Sequence, residues 1–283
     1  VEQMSGRWQI KHADMRDLAK QCRDAHPASL VTYSWIPRDE NSHADRLANK
    51  ALDGGSAHKP APVIQQNFLT DRLRSAEIPT FIYFVRHGET ILTPARKFSG
   101  TGSLDPELMQ EGLDQVDLVA EECAKLGADV LIASPLNRTR QTAEAISRAT
   151  GLEIIFDKVW YELSFGDWDG LSFEEVKEKS PDEFQGWLNS TSYAPAGGES
   201  YDQAEVRVEE ALEKVAALYP GQRVVVVTHN GIIKLAAQIV TGAPTEAVFH
   251  IDAAPCSITS ISIWPSDGLR ALRSLNETGH FRP

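Results

Sequence analysis

Apolar residues recur along this chain with two different periods. Phe81, Ile82, Tyr83, Phe84 and Val85 form an almost unbroken run of aromatic and β-branched residues, entered after Pro79, the pattern of a buried strand. The run ends abruptly in Arg86, His87, Gly88, Glu89 and Thr90. From there onward, strand-like and helix-like stretches alternate. Helical spacing predicts a helix over 108–126, with Leu113, Val116, Val119, Ala120 and Cys123 as its apolar positions. Further helices are predicted over 136–150, 200–218 and 232–240, with short ones over 173–188 broken at Pro181. Strands are predicted over 129–133, 153–156, 223–228, 257–263 and 269–275. Such alternation predicts an α/β fold over residues 80–283: a three-layer α/β/α sandwich with a mostly parallel sheet.

Upstream the pattern is sparser. Met15, Leu18 and Cys22 fall at helical spacing within 13–25. Over 30–36, Leu30, Thr32, Ser34 and Ile36 alternate with Val31, Tyr33 and Trp35 as in a strand. A second helix is predicted over 41–52, with Asn41 or Ser42 as its N-cap. Two helices and one strand are too few layers to bury a core unaided, so residues 1–52 read as an incomplete α/β segment. Residues 53–79 read as a linker: Gly54 and Gly55 stop the helix, and Pro60 and Pro62 favour extended chain. Leu69, Leu73 and Ile78 are expected to dock a short helix on the domain that follows. Val1 in place of an initiating Met reads as a fragment or a processed product.

Composition narrows the function classes. The 283 residues exceed one typical domain, and 42% hydrophobic content supplies a real core. The net charge of −12 is uneven. Residues 1–59 hold nine Lys and Arg against eight Asp and Glu; the remainder holds 19 against 32. An acidic second part is a poor general nucleic-acid surface, though a few converging arginines still make a local anion site. Cys22, Cys123 and Cys256 have neither disulfide nor zinc-ligand spacing, which suits a reducing, cytoplasmic compartment. The longest apolar stretch, 224–240, contains His229, Asn230 and Lys234 and is no membrane span. No secretory segment opens the chain.

Chemistry is expected where strands end. Right-handed crossovers put the carboxyl ends of parallel strands on one sheet edge, where ligands bind. His87, Ser134 with nearby Arg138, and His229 each follow a predicted strand. If those strands are parallel neighbours, two histidines, Arg86, Arg138 and a helix N-terminus surround one pocket. Gly88 is expected to allow close backbone approach. Two histidines with Glu89 or Glu162 would suit zinc or iron. Arginine forks beside them repel a cation and match phosphate oxygens instead. Structural histidines, hydrogen-bonded in the core, are the remaining alternative. Phe98, Trp160, Tyr161, Trp168 and Tyr193 are expected to divide between the leaving-group side of the pocket and the core.

Two resemblances sharpen these readings. Arg86-His87-Gly88-Glu89-Thr90, the run from Ser134 to Ala143 containing Arg138, the run from Glu162 to Gly170, and Thr228-His229-Asn230-Gly231 occur in that order. They resemble the successive motifs of the histidine phosphatase (phosphoglycerate-mutase-like) superfamily, and the likeness covers residues 80–240. Trp35 to Asn49, with its Asn-Ser-His-Ala-Asp-Arg-Leu-Ala segment, resembles the C-terminal strand, loop and helix of ribonuclease H domains. The pairing is similar to bacterial fusions of a ribonuclease H domain with an acid phosphatase of the α-ribazole phosphatase type.

The resemblance implies roles. His87 would be the nucleophile, with Glu162 the general acid and His229 a third catalytic group. Arg86, Arg138, Thr93, Gly100 and Asn230 would bind substrate, and Glu89 would be mainly structural. The implied reaction is hydrolysis of a small phosphorylated substrate, α-ribazole 5'-phosphate being one candidate, with no cofactor. Members often carry Asn where Thr93 stands and Thr where Met109 stands, departures that bear on substrate preference. A mutase would use the same residues, but the compact segment between Gly170 and Ser200 favours hydrolysis. In an intact ribonuclease H domain, Asp45 would be one of four carboxylates holding Mg2+, and the partner would be an RNA–DNA hybrid. The other three would lie upstream of Val1, and Asp45 alone cannot hold the ions. Neither resemblance implies a membrane partner or an oligomeric state.

Overall fold

In the computed structural model of the chain, the structure describes residues 76–102 and 104–282, together with the single position Lys20. The chain divides into two units, Val1–Asn67 and Phe68–Pro283, and the fold below is that of the second. The expectations for residues 1–52, Asp45 among them, for most of the 53–79 linker, and for the docking residues Leu69 and Leu73 lie outside the described residues. Ile78, the third residue expected to dock, is 66% exposed and lies outside any helix.

The element order is β1 (Thr80–Arg86), α1 (Gln110–Leu126), β2 (Val130–Ala133), α2 (Asn137–Thr150), β3 (Ile154–Phe156), α3 (Phe173–Lys179), α4 (Pro181–Asn189), α5 (Tyr201–Leu218), β4 (Arg223–Thr228), α6 (Asn230–Thr241), β5 (Ile258–Ile263) and β6 (Arg270–Glu277). All six strands form one mixed sheet in the order β3-β2-β4-β1-β5-β6. β1 to β4 run parallel to one another, while β5 and β6 continue the sheet antiparallel.

Strand side chains alternate between two layers because successive Cβ atoms point to opposite faces. Ile82, Phe84, Val224, Val226 and Ile132 pack under α5 and α6. Val85, Val225, Val227, Leu131 and Ala133 pack under α1 and α2. Strands buried on both faces must be apolar throughout, which is why β1 and β4 read as unbroken runs. α1 begins at Gln110, not 108, because Leu108 bridges back to Thr90. Leu113 is 39% exposed, against its expected place on the apolar face. The buried face of α1 runs through Gly112, Val116 and Val119, and Leu113 lies about 100° round the helix from Gly112. α3 and α5 open with capping boxes, Ser172 with Glu175 and Ser200 with Gln203, each satisfying otherwise orphaned backbone donors. Among the described residues no helix is long and apolar enough to cross a membrane.

Candidate active site

The parallel run of β2, β4 and β1 carries three chain reversals to one sheet edge. Arg86 and Thr228 are register partners in adjacent strands, so His87 and His229, which follow them, emerge side by side. The ladder continues one step further: the His87 N–H donates to the Thr228 carbonyl at 3.1 Å, and the Ser134 N–H to the Val227 carbonyl at 3.0 Å. The two imidazole centroids are 5.2 Å apart, edge to face.

His87 is buried, and its Nδ1 lies 2.7 Å from the Gly88 carbonyl oxygen. A ring nitrogen facing a carbonyl carries the proton, which leaves the Nε2 lone pair free. His229 is fully buried; its Nε2 lies 2.9 Å from Ser134 Oγ, and its Nδ1 has no partner. Burial first, then the Arg138 guanidinium, holds both imidazoles well below their usual range. Both rings are therefore neutral near pH 7.

The arginines are each fixed at one nitrogen. Arg86 Nη1 donates to the Ala253 carbonyl at 2.6 Å, while its buried Nε has no partner. Arg138 is wholly buried, and its Nη2 donates to the Ser99 and Gly100 carbonyls at 3.0 and 3.2 Å. Its Nε and Nη1 make no hydrogen bond; the nearest carboxylate, Asp105, stands 3.6 Å from Nη1. Buried guanidinium donors of this kind match the oxygens of an anion such as phosphate.

Glu162 is buried on the far side. Its Oε1 accepts the Leu163 N–H at 3.0 Å and its Oε2 the Gly231 N–H at 3.2 Å. Burial pushes its carboxyl above the ordinary range despite those bonds and the nearby Arg138 and Arg86. A Cβ at position 231 would meet Glu162 Oε1 at 2.5 Å, so a side chain there would displace the carboxylate. Arg207 steadies the loop, gripping Glu199 at 2.9 and 2.8 Å and the Val159 carbonyl at 2.7 Å.

A cavity of about 260 Å³ has Arg86, His87, Glu162, Thr93 and Asn230 in its lining, while Arg138 and His229 are buried behind it. The Thr93 hydroxyl accepts the Thr90 N–H at 3.1 Å, and Asn230 Oδ1 accepts the Ala253 N–H at 3.2 Å. Gly100 stands behind the lining: its N–H is committed to Asp169 at 2.6 Å and its carbonyl to Arg138. Glu89 is bound to Gln115 at 2.8 Å, away from the cavity. Among the described residues no group of three His, Cys, Asp or Glu side chains is placed to hold a metal ion.

One expectation needs correction. Gly88 does permit close approach, but by α1: a Cβ on Gly88 would meet the Gly112 carbonyl at 2.7 Å, and one on Gly112 the Glu89 carbonyl at 2.2 Å. The five aromatics divide as expected: Phe98 lines the cavity, while Trp160 and Trp168 are core. Further walls are Phe165, Phe173, Trp187 and Tyr201, with Arg96, Lys97 and Lys234 among them. The one signal for Lys234 in the sequence is its charge inside an apolar helix four residues after Asn230.

Residues 82–278 match the family model described as histidine phosphatase superfamily (branch 1), and the chain belongs to that superfamily. Bifunctional protein Rv2228c of Mycobacterium tuberculosis is 35% identical over 99% of this chain and 79% of its own length. Phosphoserine phosphatase 1 of Hydrogenobacter thermophilus is 38% identical over 53% of this chain and 70% of its own. Among solved structures, mycobacterial glucosyl-3-phosphoglycerate phosphatase Rv2419c with VO3 aligns with a TM-score of 0.65 at 25% identity, covering 70% of this chain and 100% of that one.

Proposed function

We propose that the chain hydrolyses phosphate monoesters of small metabolites in two steps through a phosphohistidine. The observation that carries this reading is the convergence of Arg86, Arg138 and His229, each with a buried nitrogen that makes no hydrogen bond, beside a His87 whose Nδ1 is held by the Gly88 carbonyl. In the first step the Nε2 lone pair attacks phosphorus, and the bond to the leaving oxygen breaks. Glu162 gives that oxygen its proton. In the second step the Glu162 carboxylate takes a proton from water, whose oxygen attacks phosphorus; the P–N bond breaks and His87 is restored. The guanidiniums and His229 offset charge on the phosphoryl oxygens, the main source of rate enhancement in phosphoryl transfer. The N-terminus of α2, just beyond Ser134, adds partial positive charge. No step requires a cofactor.

Wild type mixed briefly with substrate and quenched in base should carry an acid-labile phosphate, and steady turnover should be unchanged in chelator. His87→Ala should lose both the phosphoenzyme and turnover. Phosphate release by that variant would overturn the reading. A screen of phosphomonoesters that includes α-ribazole 5'-phosphate would identify the substrate.

The N-terminal reading we advance on the same terms. Residues 1–52 are taken as the end of a ribonuclease H-like domain, linked by 53–79 to the phosphatase domain at 80–283. The match to a relative named bifunctional, over 99% of this chain, supports it. Asp45 would bind Mg2+ only beside further carboxylates. An RNA–DNA hybrid should therefore survive incubation of this chain with magnesium, and cleavage would overturn that limit.

A further inference from the structure

Hydrolysis as described leaves Glu89 and Gln115 without a task, although they are joined to each other at two points. The Glu89 N–H donates to Gln115 Oε1 at 3.1 Å, and Gln115 Nε2 donates to Glu89 Oε1 at 2.8 Å. A backbone N–H can only donate, which settles which way round the amide stands. Gln115 reaches the loop because α1 lies against it: Gly112, three residues earlier on the same side of the helix, packs against Gly88 and Glu89. Both Glu89 and Gln115 are half-buried, so water competes only in part for these bonds.

The Glu89 N–H belongs to the same planar peptide as the Gly88 carbonyl, and the two point in opposite directions. That carbonyl is the oxygen 2.7 Å from His87 Nδ1. Sheet hydrogen bonding does not reach it: the ladder between β1 and β4 ends with the His87 N–H on the Thr228 carbonyl. The preceding peptide is held by Thr142, whose Oγ1 accepts the Gly88 N–H at 3.2 Å. Among the described residues, the Gly88–Glu89 peptide is thus gripped from one side by the His87 ring and from the other by Gln115. A rotation of that peptide would withdraw the carbonyl from Nδ1. A neutral imidazole would then be free to carry its proton on Nε2, where no lone pair remains to attack. Donation from the peptide N–H also polarises its carbonyl, which strengthens the bond from Nδ1–H and enriches Nε2 in electron density.

We propose that Gln115, braced by the Glu89 side chain, is a positioning residue for the nucleophile: it fixes the Gly88–Glu89 peptide and so keeps the proton on Nδ1 of His87 and the lone pair on Nε2. The inference rests on the hydrolase reading for the reaction and adds the residues that set the nucleophile's tautomer. Gln115 stands outside the cavity lining and acts through one peptide, without touching the reacting atoms.

The test reads the tautomer and the reaction separately. Nitrogen NMR spectra of the full chain labelled in histidine, with the His87 signals assigned by their absence in His87→Gln, show which ring nitrogen carries the proton. Wild type should show Nδ1–H alone, and Gln115→Leu a mixture of both tautomers. The rate of phosphoenzyme formation from p-nitrophenyl phosphate, followed by rapid quench, should fall about 10-fold in Gln115→Leu, as for the loss of one hydrogen bond. Glu89→Gln keeps an acceptor for Gln115 Nε2 and should keep the wild-type spectrum and most of the rate. Thermal melts establish that each variant is folded, and Gln115→Ala, with a stronger helix former, repeats the comparison. An unchanged tautomer in Gln115→Leu overturns the inference and leaves the hydrolase intact. A changed tautomer with an unchanged rate of phosphoenzyme formation also overturns it. Wild type protonated on Nε2 overturns the inference together with attack by that nitrogen. A tautomer that depends on Gln115, in a chain that forms no phosphoenzyme and releases no phosphate, upholds the positioning and overturns the hydrolase.

Discussion

His87 and His229 depart from ordinary imidazole behaviour because a proton on either ring would be a buried charge facing Arg138 and Arg86. Glu162 departs in the opposite sense, since its burial outweighs the same two cations. On the proposed mechanism, nucleophile and acid would both be in working form across a wide range, His87 held neutral into acid pH and Glu162 protonated above the usual carboxylate range. The rate profile follows from those directions. kcat/KM should stay level as pH falls through the ordinary imidazole range and decline on the alkaline side as Glu162 ionises. Glu162→Gln should remove the alkaline limb and lower the rate about 10²- to 10⁴-fold. Initial rates from pH 4 to 9 decide this, and a fall in rate near the usual imidazole value would exclude a neutral His87. Arg138→Lys keeps the charge but loses the fork that holds Ser99 and Gly100 while offering Nε and Nη1. It should cost about 10²- to 10³-fold in kcat/KM, measured by the same assay. At this scale the charged residues were legible, because a strand end is a position and position assigned His87, Arg138 and His229 to one sheet edge, although Arg138 and His229 lie behind the cavity lining. The aromatic walls were not. Trp160 beneath the sheet and Trp187 beside the cavity both follow the same burial pattern, and only the folded chain separates them.

The elements themselves could be read because β1 and β4 are buried on both faces and the helices on one. What escaped the periodicity was the contact between α1 and the loop after β1. It depends on two missing side chains, Gly88 and Gly112, and absence of a Cβ leaves no mark in a hydrophobic pattern. The displacement of Leu113 from the buried face has the same origin, since Gly112 occupies the line of closest approach. Gly112→Ala would press a methyl against the Glu89 carbonyl, 2.2 Å away, and lever the loop bearing His87 off the helix. We expect a loss of about 1–3 kcal/mol of stability, read from denaturant midpoints, together with lower kcat. A variant with unchanged kcat would mean that the loop is positioned by the sheet alone.

For the whole molecule, the buried site couples folding to pH. Both histidines are held below the imidazole value they would have in the unfolded chain. Their contribution to stability is therefore complete above that value and is lost as pH falls from it towards the folded-state values. Glu162 contributes in the reverse sense: its share is complete below the ordinary carboxylate value and is lost as pH rises through its elevated one. The denaturant midpoint should accordingly fall on acidification below the usual imidazole range, and His229→Gln should flatten that slope. A midpoint that rises over this interval would contradict the burial of neutral rings.

The pairing of Arg86 with Thr228 has one more consequence. The distance from one ring to the other, 5.2 Å, is close to the roughly 4.8 Å that separates any two bonded strands. The sheet thus serves as a ruler for the proposed reaction, and its graduation is the peptide hydrogen bond. Loops around the mouth can lengthen, shorten or exchange residues for new substrates without disturbing that interval. A single residue inserted into either strand, by contrast, would turn one ring to the opposite side of the sheet and leave no reactive pair at all.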